Sequence, residues 1–489
     1  MHLTLYISVY IIYLKGGDSV VTVSIIKGNK ISVLNAEKGQ KLSDILMSNS
    51  ADFQHPCAGK GICRKCTVSV NGEDVLSCRY IIESDITVIL PEDSISPTET
   101  AVKSDLNGKV NIAVDIGTTT LEAVLTDENG NVSDSVKMLN PQKIFGADVI
   151  SRTDYCRKNG TSELQSVLIN SINSLCGKLL EKHGITSADT MYIAGNTTML
   201  HTFFGEDCSG IGLSPYTPVF LEGRQQKASE SGIKKVRGIV SLPNISAFIG
   251  ADIVAGLNMT EIPSDNRFNL LIDLGTNAEI VLFSDKKTIC TTAAAGPCFE
   301  GANISCGMSA LRGAVYRFSF LKGAETIGNA KAEGLCATGL IDVIAELLTN
   351  GYIDETGCLS DEKFRICDDV FITQEDIRKY QFAKSAVYSA VCALLKISNI
   401  TFRDIDKAYI SGGFSEKLNI SNAILTGLLP VELQSRYTLL GNSALSGMLK
   451  YIRQKNDLSR FTENADCIDL ASDSFFADSF IKNMTFPEL

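Results

Sequence analysis

The chain has 489 residues, 44% of them hydrophobic, and a net charge of -11. That length exceeds one ordinary core, so two to four domains are expected, and the acidic balance argues against nucleic acid or an anionic membrane as the main partner. The 15 cysteines are odd in number and spread along the whole chain, which does not read as a disulfide scaffold.

Residues 1–19 form an N-terminal extension. Its apolar run "LTLYISVYIIYL" is about a dozen residues, below the roughly 18 to 20 that span a bilayer. It lacks a basic n-region and a small-residue cleavage site, so a cytoplasmic protein is favoured over a secreted one.

Residues 20–92 read as a small β-rich domain. "VVTVSI" and "KISVLNAE" alternate as two strands, and "KLSDILMSN" has helical spacing. In "TVSVNGEDVLSC" the pair Asn71-Gly72 is a two-residue hairpin signal. Counting outward from it sets Val70 opposite Glu73 and Cys66 opposite Ser77, so Cys78 lies one step from Cys66.

The stretch "HPCAGKGICRKC" with Cys78 gives Cys57, Cys63, Cys66 and Cys78 in the spacing C-x5-C-x2-C-x11-C. Small residues Ala58, Gly59 and Gly61 leave backbone N–H groups free to approach inorganic sulfide, and three thiolates from one loop plus one from a hairpin suit a [2Fe–2S] cluster. The plant-type spacing is one residue shorter in its first interval. Zinc is the rival metal, although structural zinc sites present two close cysteine pairs and here only Cys63 and Cys66 form one. Lys60, Arg64 and Lys65 offset cluster charge or form a solvated loop, and His55 is read as a loop residue.

Residues 93–108 are a polar, acidic linker. Beyond it two hairpins share one design. "NIAVDIGTTTLEAVL" carries Asp115, Gly117, Thr118, Thr119 and Thr120, and "NLLIDLGTNAEIVLF" carries Asp273, Gly275, Thr276 and Asn277. Two strand-turn-helix segments also match, "YIAGNTTML" from Tyr192 and "YISGGFSEKL" from Tyr409, in the same order, which implies two duplicated lobes. Asp115 to Tyr192 spans 77 residues and Asp273 to Tyr409 spans 136, so an insertion near 310–373 is expected in the second lobe.

In D-x-G-T the glycine lets backbone approach phosphate oxygens, and the following N–H and hydroxyl groups donate to them. The aspartates hold Mg²⁺ or orient a water. These hairpins, with "SGGF" at Ser411 to Phe414 and "GNSALSG" at Gly441 to Gly447, resemble the ASKHA superfamily of actin, heat-shock chaperones and acetate and sugar kinases. The resemblance implies an α/β two-lobed ASKHA domain, with lobe 1 at 109–262 and lobe 2 at 263–456, behind an α+β β-grasp ferredoxin-like domain. It also implies a bound ATP, with Gly412 and Gly413 against the adenosine.

The combination resembles the reductive activators of corrinoid proteins, on "NPQKIFGADVISR", "AGNTTMLHTFFG", "PYTPVF", "AFIGADIVAGL" and "AAAGPCFEGANISCG", across residues 20–453. What this implies is ATP-dependent reduction of a methyltransferase system's corrinoid protein from Co(II) to Co(I), fed by an upstream low-potential electron donor. Asp115 and Asp273 are the expected catalytic residues. The alternatives are an activator of 2-hydroxyacyl-CoA dehydratases, a nucleotide-binding redox sensor, and a small-molecule kinase. The loop "AAAGPCFEGANISCG", in which Glu300 offers one fixed charge, is expected to meet the corrinoid protein or line the nucleotide cleft, the alternative being a packed turn with Cys298 and Cys306 as small buried hydrophobes. The short linker suggests that a separate middle domain is missing. Residues 457–489 read as a disordered or dimer-packing tail, which admits a homodimer. Cys156, Cys176, Cys336 and Cys392 read as core residues.

Overall fold

The computed structural model describes residues 20–27, 30–49, 66–90, 108–263 and 267–488 and divides into two units, at Asp93 and Ser94. In the first unit β1 (Val20–Lys27) and β2 (Lys30–Glu37) form a hairpin. After them come α1 (Leu42–Asn49), β3 (Thr67–Val70), β4 (Glu73–Leu76) and β5 (Ile86–Ile89). The sheet order β2-β1-β5-β3-β4, with β1 and β5 parallel, is that of a β-grasp. Val23, Leu42, Leu46, Val68, Ile82 and Val88 fill its core.

Asn71 and Gly72 both take positive φ, as a two-residue turn of this hand requires. The β3–β4 register pairs Val70 with Glu73 and Thr67 with Leu76. The Asn71 side chain then accepts from the Thr87 N–H, tying the hairpin tip to β5.

The second unit opens with β6 (Val110–Ile116), β7 (Thr120–Asp127) and β8 (Val132–Leu139). Helices α2 (Val149–Asn159) and α3 (Ser162–Lys182) lead to β9 (Ala188–Gly195) and α4 (Thr197–Phe204). Then follow β10 (Gln225–Lys227), β11 (Val236–Ser241) and α5 (Ala251–Met259). The pattern restarts at β12 (Phe268–Leu274), β13 (Ala278–Phe283) and β14 (Thr288–Ala293).

The residues between 310 and 373 contain β15 (Ala314–Ser319), β16 (Gly323–Thr326) and β17 (Gly334–Leu335), then α6 (Ala337–Thr349), β18 (Lys363–Cys367) and β19 (Val370–Thr373). After them α7 (Gln374–Ile397) plays the part of α3: α3 packs on β7 and β8, α7 on β13 and β14. The chain continues through β20 (Ile405–Ser411), α8 (Ile420–Leu425), β21 (Tyr437–Gly441) and α9 (Ser443–Gln454).

The two six-stranded sheets run β10-β11-β9-β6-β7-β8 and β21-β20-β12-β13-β14-β22, with β22 (Ala465–Cys467) from the C-terminal segment. β9 lies parallel to β6 with Asp115 beside Ala194, and β20 parallel to β12 with Asp273 beside Ser411, so the two lobes repeat register as well as order. The central strands are buried almost throughout, as parallel strands covered on both faces require.

Helices α5 and α9 cross between the sheets. A Cβ on Gly447 would lie 1.8 Å from the Ala255 carbonyl oxygen, so only glycine permits this crossing. One apolar core joins Ile112 and Ile193 of the first sheet, Val254 and Met448 of the two helices, and Leu271 and Val281 of the second sheet.

Two expectations change. The second strand-turn-helix does not run straight into a helix: after Gly412, at φ 110°, the chain makes only a short 3-10 turn at Ser415–Lys417, and α8 starts at Ile420 under its own cap, Asn419. The segment beyond Asp457 is no disordered tail. It supplies α10 (Ser459–Thr462), β22 parallel to β14, and α11 (Ser474–Lys482) against α7. Its end is fastened by α7. Gln381 Nε2 donates to the Met484 carbonyl at 2.8 Å, Lys384 Nζ donates to that of Thr485, and the buried Phe486 ring stacks at 6.4 Å on Tyr380. Residues 1–19, and all but residue 108 of the linker read at 93–108, lie outside the described residues. Among the described residues no helix is long and apolar enough to cross a membrane.

Since Phe486 is buried against Tyr380 and α7, Phe486→Ala should cost about 3 kcal/mol of stability; chemical denaturation of the full chain measures it, and an unchanged midpoint would return the segment to a loose tail.

Candidate functional site: two anion loops above buried carboxylates

The β6–β7 turn is closed by Gly117 N–H donating to the Thr120 carbonyl at 3.0 Å, and a Cβ on Gly117 would stand 2.7 Å from that oxygen. The β12–β13 turn is one residue shorter and is closed by Gly275 N–H to the Asn277 carbonyl, also at 3.0 Å. The first turn is held from behind. Arg152 Nη2 donates to the Thr118 carbonyl at 2.7 Å, Asn140 Nδ2 to that of Gly117 at 2.9 Å, and Asn196 Nδ2 to Thr118 Oγ1 at 2.8 Å. With its carbonyls occupied, the loop presents its donors to the cleft.

Arg152 is fully buried and is also held by the Gly146 carbonyl at 3.0 Å and Gln142 Oε1 at 3.3 Å. Burial draws its guanidinium down to about 10, so at neutral pH it remains a fixed positive charge behind the loop.

Asp115 and Asp273 sit near the C-terminal ends of β6 and β12. Each has a glutamate directly across its hairpin, Glu122 opposite Asp115 and Glu279 opposite Asp273. Asn442, the N-cap of α9, donates from Nδ2 to Asp115 at 3.1 Å and to Glu122 at 3.3 Å, and Ser411 Oγ donates to Asp273 at 2.5 Å. Asp252 opens α5 beside them.

Burial and then the Glu122 charge push the Asp115 carboxyl up to about 7. Burial, then Asp273 and Asp115, push Asp252 to about 7, while burial raises Asp273 and, with Asp273 next, Glu279. These oxygen-only groups lack enough positive charge and match the hard-ligand preference of Mg²⁺. Among the described residues no three His, Cys, Asp or Glu side chains are arranged to grip one metal ion directly.

The two loops meet through Glu300. Its Oε2 accepts from Thr119 Oγ1 at 2.7 Å, and its Oε1 from Thr276 Oγ1 at 2.6 Å and Thr276 N–H at 3.1 Å. The Glu300 carboxylate thus lies on the donors expected to hold phosphate. Gly412, where a Cβ would come within 2.2 Å of the Leu274 carbonyl oxygen, brings the expected adenosine turn against the second loop. Gly413 faces open space, so a flat base has room beside the backbone there.

In the first unit Cys66 and Cys78 are buried with their sulfurs 3.2 Å apart, and Ser77 N–H donates to the Cys66 carbonyl at 3.0 Å. Two thiols converging on one point is what a shared metal centre needs of them. Cys57 and Cys63, with His55, Lys60, Arg64 and Lys65, lie outside the described residues.

Sequence reasoning missed Glu122 and Glu279, although "DIGTTTLE" and "DLGTNAE" both display them after the loop. Arg152 and Asp252 stood inside quoted stretches without a role. Asn196 and Asn442 likewise stood inside quoted stretches without a role, and the structure makes them the N-caps of α4 and α9.

Comparison with known proteins assigns this architecture. Family models match residues 110–265, described as the RACo middle region, and 267–489, described as the C-terminal domain of RACo, the ASKHA domain. The corrinoid activation enzyme RamQ of Eubacterium limosum is 30% identical over 420 residues, covering 77% of this chain and 70% of that one. The chain belongs to the reductive activators of corrinoid proteins.

The [Co(II) methylated amine-specific corrinoid protein] reductase of Methanosarcina barkeri is 24% identical over 416 residues, 77% of this chain and 76% of that protein. A solved reductive activator for corrinoid, iron-sulfur protein superposes with a TM-score of 0.72 at 25% identity, covering 96% of this chain and 98% of that one. The middle region of the family falls on the first sheet and its helices, so this chain carries a middle region where the short linker had suggested that a middle domain is missing, and the C-terminal match runs through the segment beyond Asp457, consistent with its place in the fold of this activator.

Asp252 ionises near 3.8 in an unfolded chain and about 7 here, so the native state keeps a proton that the unfolded chain releases. The resulting stability is full below about pH 4 and lost as pH rises toward 7. Asp252→Asn should therefore stabilise the metal-free protein by about 3 to 4 kcal/mol at pH 8 and by less than about 1 kcal/mol at pH 4. Thermal unfolding at the two pH values tests this, and equal shifts would refute the buried repulsion.

Proposed function

We propose that this protein reduces the cobalt of a corrinoid protein from Co(II) to Co(I), using one electron from a [2Fe–2S] cluster in its first unit and ATP with Mg²⁺ in its second. The observation that carries the nucleotide half is the pair of D-x-G-T loops whose donors hold an oxyanion. Family membership carries the corrinoid half, together with a relative whose name specifies a Co(II) corrinoid protein.

Cys57, Cys63, Cys66 and Cys78 would hold the cluster. A plant-type cluster supplies single electrons near about -400 mV, which does not by itself reach Co(I). Asp115 and Asp273 hold Mg²⁺ through water or orient water at the phosphates. Gly117, Thr118, Thr119, Thr120, Gly275, Thr276 and Asn277 bind phosphate through backbone and hydroxyl donors, and Gly412 and Gly413 lie along the adenosine. Arg152 adds a fixed positive charge behind the first loop, where it need not reorganise when phosphate arrives.

The uphill electron transfer is offset by differential binding. The activator must grip the Co(II) partner differently in its nucleotide states, because a ligand shifts an equilibrium only through unequal affinity for the two states. Closure of the lobes over nucleotide is the two-state element for such a change. The partner is a corrinoid protein of a methyltransferase system, the electron source a low-potential donor upstream, and the setting the cytoplasm.

The test is anaerobic purification with absorbance and EPR spectra, followed by mixing with a Co(II) corrinoid protein, ATP and a reductant. A Co(I) absorbance band that requires ATP is expected, and a band of equal size without ATP, or none with it, overturns the reading. Cys66→Ser and Cys78→Ser should remove the cluster signal while leaving nucleotide binding intact. Asp273→Asn should lower the ATP-dependent rate by about 100-fold or more.

A further inference from the structure

Glu300 ends a short 3-10 turn, Pro297–Glu300, between Gly296 and Gly301, both at positive φ. The turn is anchored by its apolar members. Cys298 and Phe299 are buried, and Phe299 stacks at 5.7 Å on Phe414 of the adenosine turn and meets Tyr380 edge-on at 6.1 Å. From this mount the carboxylate reaches Thr276 on its own lobe and Thr119 on the other. It is a chain-made bridge between the lobes, built on the donors that the preceding reading gives to phosphate.

A hydroxyl has one proton to donate and so does a backbone N–H. The Thr119 hydroxyl, the Thr276 hydroxyl and the Thr276 N–H cannot serve Glu300 and a phosphate oxygen at once. Nor does a carboxylate rest beside a phosphate in a desolvated cleft without repulsion. We propose that Glu300 is a resident anion of the site: it occupies both phosphate loops when nucleotide is absent and is displaced from them when phosphate binds.

This rests on nucleotide binding at these loops and adds what that binding must do. Phosphate exchanges a protein-made link between Thr119 and the second lobe for a ligand-made one. The exchange releases the end of a turn whose neighbouring residue, Phe299, touches the adenosine turn. Glu300 is thus a positioning residue that couples occupancy of the cleft to the conformation of residues 293–307, the glycine-rich stretch.

The test is calorimetric titration of the full chain with ADP and with a non-hydrolysable ATP analogue, in Mg²⁺. Glu300→Asp keeps the charge but draws the carboxylate back by one methylene, and Glu300→Gln keeps the shape but weakens the acceptor. Both are expected to bind nucleotide several-fold more tightly than wild type. Tightening in Glu300→Gln alone reports relief of charge repulsion and overturns the proposal, as does unchanged or weaker binding in both.

Hydrogen exchange on the wild-type protein provides a second arm that needs no variant. Amides of residues 297–303 should exchange faster when the analogue is added, and unchanged or slower exchange overturns the displacement. If neither wild type nor variants bind nucleotide, the site reading itself falls. If wild type binds and Glu300→Asp gains nothing, only this inference does.

Discussion

Asp115, Asp252, Asp273 and Glu279 are carried into one cleft by strands and a helix that have no freedom to aim them elsewhere. The strands are fixed by burial on both faces, and α5 is fixed by a crossing so close that glycine alone fits. The repulsion among these carboxylates is therefore built into the backbone. It leaves the cleft partly protonated at neutral pH in the absence of a cation, with Arg152 set behind the first loop, hydrogen-bonded to neutral groups and within reach of the charges of Asp148 and Glu300.

Duplication explains how such a site arises from simple parts. One hairpin with an aspartate, a glycine turn and a facing glutamate places a carboxylate pair beneath an anion loop. Two copies facing each other set two donor loops beside a cluster of carboxylates, the pattern that the proposed metal–nucleotide complex would complement. The parallel strands β9 and β20 complete each copy in the same way. Gly195 and Gly412 each pass so near the neighbouring strand that a Cβ would lie 2.5 Å from the Ile116 oxygen and 2.2 Å from the Leu274 oxygen.

Much of this was legible in the sequence because it follows short-range rules. Alternation and the Asn71-Gly72 turn give the first hairpin, and repeated glycine turns after apolar strands give the two lobes. What the sequence hid depends on register and on long-range burial. The glutamates became visible as partners only once β6–β7 and β12–β13 were paired. Arg152 shows no signal, since its role comes from donating to the carbonyl of a residue 34 positions away. Residues 457–489 misled for a related reason: they read as a disordered or dimer-packing tail, yet Phe476 and Phe480 pack on the core of the second lobe.

The path of that last segment bears on how the protein is made. From α9 it passes by α10 to β22 on the open edge of β14, and from there to α11 against α7. Until those residues are synthesised, β14 is an unpaired edge and the Tyr380 face of α7 is uncovered. The first lobe's sheet draws only on residues 110–241 and can close while the ribosome is still working. The second lobe cannot. A nascent chain thus carries a paired first sheet beside a second with an exposed strand edge, the kind of surface that recruits wrong partners. The vulnerable interval in the life of this activator lasts until that segment has been made.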